Sequence, residues 1–145
     1  MMESSEIALL IPHAGAMRLL DKVVSWDTRS IRCLTTRHRG ADNPLRRRDG
    51  KIGAICAVEF AAQAMALHGR LCAEASGAPK PGFLASVRNV LLRTRFLDEV
   101  AGDIAIDAAL LMGDGRSATY SFTLRVAANT LASGRATVVF EMATS

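Results

Sequence analysis

The stretch "DGKIGAICAVEFAAQAMALHGRL", residues 49–71, decides the fold. From about residue 54 to residue 75 the chain is rich in alanine, leucine and methionine, which are strong helix formers. The glycines and prolines of "SGAPKPG", residues 76–82, predict that the helix stops there. Because this helix is apolar nearly all round, we expect a sheet to cover one side of it and a partner the other.

The remaining segments have the β-branched content and the alternation of apolar and polar residues that indicate strands. They are "KVVSW", "SIRCLTTRH", "FLASVRNVLLRTRF", "DIAIDAALLM", "RSATYSFTLRV" and "TLASGRATVVFEM", the last expected to bulge at Gly134. One long helix and five or six mostly antiparallel strands predict an α+β fold, with a curved sheet around the helix and one domain spanning residues 1–145.

Composition excludes several classes of protein. Of 145 residues, 50% are hydrophobic and 22% charged, as in ordinary globular proteins. No stretch is long and apolar enough for a membrane span, and the start lacks the basic region of a secretory signal, so we expect a cytoplasmic protein. Cys33, Cys56 and Cys72 form no C-x-x-C pair, which favours reduced thiols and no zinc site.

The net charge is +4, and the basic residues are mostly arginine. Arg46, Arg47 and Arg48 lie in a polar loop over residues 39–53. They are either a solvated loop or a docking point for an acidic or phosphorylated partner. Nucleic acid is not expected, because the chain has few aromatic residues for stacking and no binding motif.

Glu59 is an acidic residue inside the apolar helix, where a charge needs a partner or a function. On a helical wheel Gln63, Arg70 and Glu74 fall within about 60° of it. The helix dipole would favour the ionised carboxylate and burial the neutral acid, and such opposed effects suit proton transfer. Glu59 could equally stabilise the helix start or pair with an arginine.

Three histidines could act as a second proton-transfer group. His68 lies about 180° round the helix from Glu59, so we expect a structural role. His38 ends a strand among arginines, where we expect it to be exposed. His13 follows Pro12 in an apolar segment and is either a residue of the cleft or a structural one.

Two motifs together resemble the hot-dog-fold 3-hydroxyacyl-carrier-protein dehydratases. "LIPHAGAMRLLDKVVSWD" is similar to their N-terminal Leu-Pro-His segment, and "VEFAAQA" to their helix motif. "RFLDEVAGD" resembles a segment that ends in Pro-Gly-Asp, with Ala101 here in place of proline. Within the superfamily, the sequence looks closest to the dehydratase-like proteins of aryl polyene biosynthesis clusters.

The resemblance implies a hot-dog dimer, with itself or with another hot-dog subunit, and sites at the interface. Glu59 would be the acid at the bottom of a dry, acyl-sized tunnel, and His13 is the candidate base. The N–H groups around Gly53 and Ala54 would contact the thioester carbonyl, with Gln63 also in the substrate site. The implied mechanism needs no metal or redox cofactor. The substrate would be carried on the phosphopantetheine of an acyl carrier protein, which the three arginines would contact.

The sequence departs from the family where the usual catalytic histidine belongs. That loop reads "PLRRRDGKIG" and contains no histidine. Three explanations are open: His13 replaces it, a partner subunit supplies the chemistry, or the chain binds acyl groups without converting them. The leading expectation is therefore dehydration of 3-hydroxyacyl thioesters to trans-2-enoyl thioesters; the alternatives are a non-catalytic subunit paired with an active dehydratase, or an acyl thioesterase.

Overall fold

The computed structural model describes residues 2–7, 9, 17–76, 82–114 and 116–140. A short helix, α1 (Ser4–Ile7), precedes the long central helix, α2 (Ala57–Ser76). A 3₁₀ turn over Ala54–Cys56 leads into α2, so the regular helix begins three residues later than predicted. Its end at Ser76 agrees with the prediction; the glycine and prolines expected to stop it, in 77–81, lie outside the described residues.

The strands of the described ranges form one antiparallel sheet in the order β1-β2-β3-β5-β6-β7-β4. They are β1 (Met2–Glu3), β2 (Lys22–Trp26), β3 (Ser30–Thr35), β4 (Gly82–Leu92), β5 (Ile104–Gly113), β6 (Ser117–Val126) and β7 (Asn129–Phe140). The prediction of five or six strands missed β1, which is two residues long and pairs with β2 through Met2 and Val23. Two residues are too few for any periodicity to show.

The hydrophobic core lies between α2 and the inner face of the sheet. Alternation along β6 buries Ala118, Tyr120, Phe122 and Leu124, as predicted, while Val126 is only partly buried. The helix contributes a stripe three and four residues apart, namely Phe60, Ala64, Leu67 and Leu71. This packing confirms the prediction of a helix covered by a sheet along one side.

Gly134 lies opposite a bulge, but the extra residue is on the neighbouring strand and not on β7 as expected. The register of β4 against β7 shifts between Arg88 and Leu91, with Asn89 at a φ of 53°. A Cβ on Gly134 would lie 2.9 Å from the ring of Phe122, so glycine is needed there to admit that ring. The bulge bends β4, which is one of the two edge strands of the described sheet.

Candidate functional site

Glu59 lies in the first turn of α2 and is exposed in the single chain. Among the α2 side chains that the structure describes, it alone is exposed. The cavity beside His68, described below, does not include it in its lining. The expectation of a carboxylate enclosed in a tunnel is therefore wrong for the isolated chain, because the sheet covers only the opposite side of the helix.

The surface around Glu59 is apolar and incompletely covered. Ile55 is 59% exposed, and Val58, Ala62 and Ala66 are partly exposed. The thiol of Cys56 is close by: burial raises its pKa, and the negative charge of Glu59 raises it further. We call Ile55, Val58, Glu59, Ala62 and Ala66 the open helix face. It places one carboxylate at the centre of an apolar surface that this chain leaves uncovered.

Gln63, expected in the substrate site, is buried and fully engaged with the backbone. Its Nε2 donates to the carbonyl oxygen of Met17 at 2.6 Å, and its Oε1 accepts the N–H of Leu19 at 2.7 Å. The amide group therefore has a structural role in the chain as it stands. It fastens the segment after residues 10–16 to α2, about 40° round the helix from Glu59.

The backbone at the start of the helix is only partly free to bind a ligand. The N–H of Ala54 donates to the carbonyl oxygen of Arg95 at 3.0 Å, so the expectation that it meets a thioester carbonyl needs correction. The N–H groups of Gly53 and Ile55 have no acceptor in the described part of the chain. A Cβ at Gly53 would meet nothing within 4 Å, so open space adjoins this amide.

Two of the three histidines are described, and both are buried. His38 was expected to be exposed, but it lies in a 3₁₀ turn (Arg37–Arg39) packed beneath the Leu97–Glu99 turn, with no exposed surface. Its Nε2 donates to the carbonyl oxygen of Val100 at 3.0 Å, and burial lowers its pKa. His13 lies outside the described residues, so its role stays a prediction.

His68 has the structural role expected of it. Its Nε2 faces the carbonyl oxygen of Asp27 at 2.8 Å and therefore carries the hydrogen, while its Nδ1 accepts the hydroxyl of Tyr120 at 2.7 Å. Burial lowers the pKa of His68, which keeps the ring neutral. The pair adjoins a cavity of about 290 Å³ that also contacts Cys72 and Phe140, away from the open helix face.

The three consecutive arginines have different roles. Arg46 turns inward and donates to the carbonyl oxygens of Gly40, Gly50 and His38, which closes the loop around its guanidinium. Arg47 pairs with Asp49 at 2.6 Å. Arg48 is exposed and has no ion pair within the described ranges. Arg46 is thus part of the loop's structure rather than a docking residue.

A cluster that the sequence did not reveal surrounds Phe96. Lys51 lies 4.6 Å from the ring centroid, Arg47 5.4 Å and Arg95 5.9 Å. We call these four residues the Phe96 cluster. An isolated bridge between Phe96 and Gly53 places it beside the helix start. Sequence reasoning missed it because Lys51 and Arg95 come from distant segments that meet only in the fold, through this bridge and a hydrogen bond from the Ile52 N–H to the Asp98 side chain.

Neither a membrane-spanning helix nor a metal site is found among the described residues. None of their helices is long and apolar enough to cross a bilayer. In the same ranges, no three His, Cys, Asp or Glu side chains come together in a way that would hold a metal ion. Cys33, Cys56 and Cys72 are all free thiols.

Comparison with known proteins adds a family. A family profile described as ApeP-like, ApeP dehydratase, matches residues 5–144. A search of curated proteins found no match. Among solved structures, the chain is similar to the dehydratase heterocomplex ApeI:P from Xenorhabdus doucetiae, with 20% identity, a TM-score of 0.83, and 94% of this chain and 91% of that one covered.

A thioesterase from Haemophilus influenzae is also similar, at 14% identity and a TM-score of 0.66, covering 97% of this chain and 92% of that one. At these identities the likenesses show the fold alone. They confirm the predicted hot-dog architecture, in which one long helix lies in a curved antiparallel sheet.

Proposed function

The chain belongs to the ApeP-like dehydratase family, and from this premise we propose that it is one half of a hot-dog dehydratase pair. The pair would convert 3-hydroxyacyl thioesters, carried on an acyl carrier protein, into trans-2-enoyl thioesters. The observation that carries the proposal is Glu59, which is exposed at the centre of an apolar helix face. A second subunit covering that face would turn an exposed carboxylate into an enclosed one.

The edge strand supports the pairing. Among the described strands, β4 is hydrogen-bonded only to β7. Its exposed apolar residues are Phe83, Leu84, Leu91 and Leu92, at 60%, 39%, 57% and 42%. An unpaired edge with this much apolar surface is a template for another strand. The similar structure from Xenorhabdus doucetiae is a complex of two different subunits, so we propose a related hot-dog protein as the partner, with a second copy of this chain as the alternative.

The proposed reaction is a proton-coupled elimination. A base removes a proton from C2 of the acyl group, and the freed electron pair forms the C2–C3 double bond as the C3–O bond breaks. Glu59 gives its proton to the departing hydroxyl, which leaves as water. The N–H groups of Gly53 and Ile55 have no acceptor among the described residues, so they would stabilise the negative charge on the thioester oxygen.

His13 is the candidate base within this chain. Gln63 anchors Met17, four residues after His13, so the connecting segment spans at most about 14 Å. Replacing His13 with alanine should slow turnover about 10²-fold or more if it removes the C2 proton. Unchanged turnover would assign the base to the partner subunit.

A second candidate function is that of a non-catalytic subunit, since the loop over residues 40–51 has no histidine and is held closed by Arg46. The test uses 3-hydroxyacyl carrier protein with the chain alone, its partner alone, and both together. We expect loss of one water, seen by mass spectrometry, only with both present. Full activity of the partner alone, unchanged when this chain is added, would reject a catalytic role; release of free thiol would instead show a thioesterase.

A further inference from the structure

We propose that the Phe96 cluster binds the phosphate of the carrier protein's phosphopantetheine arm. This inference rests on the proposed function and adds a binding site to it. Lys51, Arg47 and Arg95 lie within 6 Å of one ring centroid. Three cations this close repel one another, and the face of an aromatic ring offsets only part of that repulsion.

Within the described part of the chain, the three cations around the ring outnumber the carboxylates that act on them. Arg47 is paired with Asp49 and is also attracted by Asp98, and Asp49 attracts Lys51 as well. Neither Lys51 nor Arg95 has a carboxylate within ion-pair distance there. Arg48, exposed beside Arg47, adds a further positive charge. A multiply charged anion with several oxygens would satisfy this arrangement, because guanidinium groups bind phosphate through paired donors and an ammonium binds it as a point charge.

The form of the cluster fits this phosphate better than it fits acidic side chains of a protein surface. All three cations lie within 6 Å of one ring centroid, whereas a protein surface would present its carboxylates spread apart. The half-buried ring of Phe96 offers an apolar surface beside the charges. In phosphopantetheine one methylene group separates the phosphate from a carbon bearing two methyl groups, which would pack on such a ring.

The distance to the proposed acid also fits. Phe96 bridges Gly53, and bridged residues have Cα atoms about 5 Å apart. From Gly53 to Glu59 is about 9 Å along the helix. The arm spans about as much as five extended residues, or about 17 Å from phosphorus to sulfur. A phosphate at the cluster would therefore let the thioester reach Glu59.

The test compares 4′-phosphopantetheine with pantetheine, which differ only in the phosphate. Calorimetry on the full chain in complex with its hot-dog partner should give about tenfold tighter binding of the phosphorylated compound, with the preference shrinking as salt rises. The variant Lys51→Ala/Arg95→Ala should lose that preference and bind pantetheine as before. Inorganic phosphate alone should bind at least about tenfold more weakly than the phosphorylated arm, because it lacks the dimethyl group and the chain.

Two control variants separate an effect of lost charge from an effect on folding. Arg116→Ala removes an exposed arginine in the turn between β5 and β6 and should leave the preference intact. Lys51→Arg/Arg95→Lys keeps both charges and should also preserve it. Equal binding of both compounds by the unmodified protein, or failure to bind either, overturns this site. The dehydration assay on carrier-bound substrate reports separately on the proposed function, since turnover with no phosphate preference would reject only the site.

Discussion

The side-chain amide of Gln63, in the second turn of α2, donates to the carbonyl oxygen of Met17 at 2.6 Å. The same amide accepts the N–H of Leu19 at 2.7 Å. One helix side chain therefore fixes the segment that follows residues 10–16, on the side of the helix nearest Glu59. Gln63, which the sequence suggested as a substrate ligand, instead holds the backbone of Met17 and Leu19 against α2.

Gln63→Leu should destabilise the chain. Leucine has a similar volume but leaves the carbonyl of Met17 and the N–H of Leu19 without partners, each costing about 1–3 kcal/mol. Urea unfolding should show a loss of about 2–4 kcal/mol. Glu59→Leu, an exposed position on the same helix, is the control and should change stability by about 0.5 kcal/mol or less. Equal stability of the two variants would contradict the anchoring role.

Glu59→Gln should separate activity from stability. The swap keeps size and hydrogen bonding but removes the transferable proton, so turnover by the paired protein should fall about 10²–10⁴-fold. Because the side chain is exposed, the free energy of unfolding should move by about 0.5 kcal/mol or less. Steady-state kinetics and urea unfolding measure both quantities. Turnover close to normal would show that Glu59 is not the acid.

Replacing Arg46 should affect stability, whereas replacing Arg48 should affect binding of the carrier protein. Arg46→Ala removes the donor that joins three carbonyl oxygens, so we expect unfolding at lower denaturant, by about 1–3 kcal/mol. Arg48 has no ion pair among the described residues, so Arg48→Ala should leave stability unchanged. It should weaken binding of an acidic carrier protein, most clearly at low salt. If Arg46→Ala left stability unchanged, the loop would not depend on this guanidinium.

The fold was predictable because its signals are local and repeated. Alanine, leucine and methionine mark α2 over five turns, and alternation along β6 gives the buried face residue by residue. β1 was missed because a two-residue strand exists only through its pairing with β2. The bulge was placed on the wrong strand, since the glycine that permits it lies on β7 while the extra residue lies on β4.

The site was less predictable because exposure and partners depend on distant segments. The sequence identified Glu59 as unusual, but it did not show that the sheet leaves this side of α2 open. It assigned His38 to the surface, although the turn after Phe96 covers it. It grouped Arg46 with its neighbours, while only the fold shows a side chain turned inward to three carbonyl groups.

The edge of the sheet should determine assembly. Leu91→Lys puts a charge on an exposed apolar residue of β4, a substitution that disfavours strand pairing between subunits. Light scattering after size-exclusion chromatography should show loss of the paired form. Met112→Lys, at a residue of β5 that is 69% exposed, is the matched control and should leave assembly intact. Retention of pairing by the β4 variant would place the interface elsewhere.

Stability should fall as the pH drops below about 6.5, because His38 and His68 are both buried. Burial lowers the pKa of each from the ordinary value of 6.5, so the unfolded chain takes up protons first. Their stabilisation is complete above that value and is lost as the pH falls toward the lower folded pKa, with a slope of at most about 1.4 kcal/mol per pH unit for each ring. Asp21 acts in a lower pH range: burial disfavours its charged form, but hydrogen bonds from Thr36 and Arg37 lower its pKa overall.

Urea unfolding between about pH 7.5 and pH 5 therefore reports the protonation of the two histidines. His68→Gln should flatten the slope, and a profile equally steep in that variant would show that His68 is not among the groups responsible.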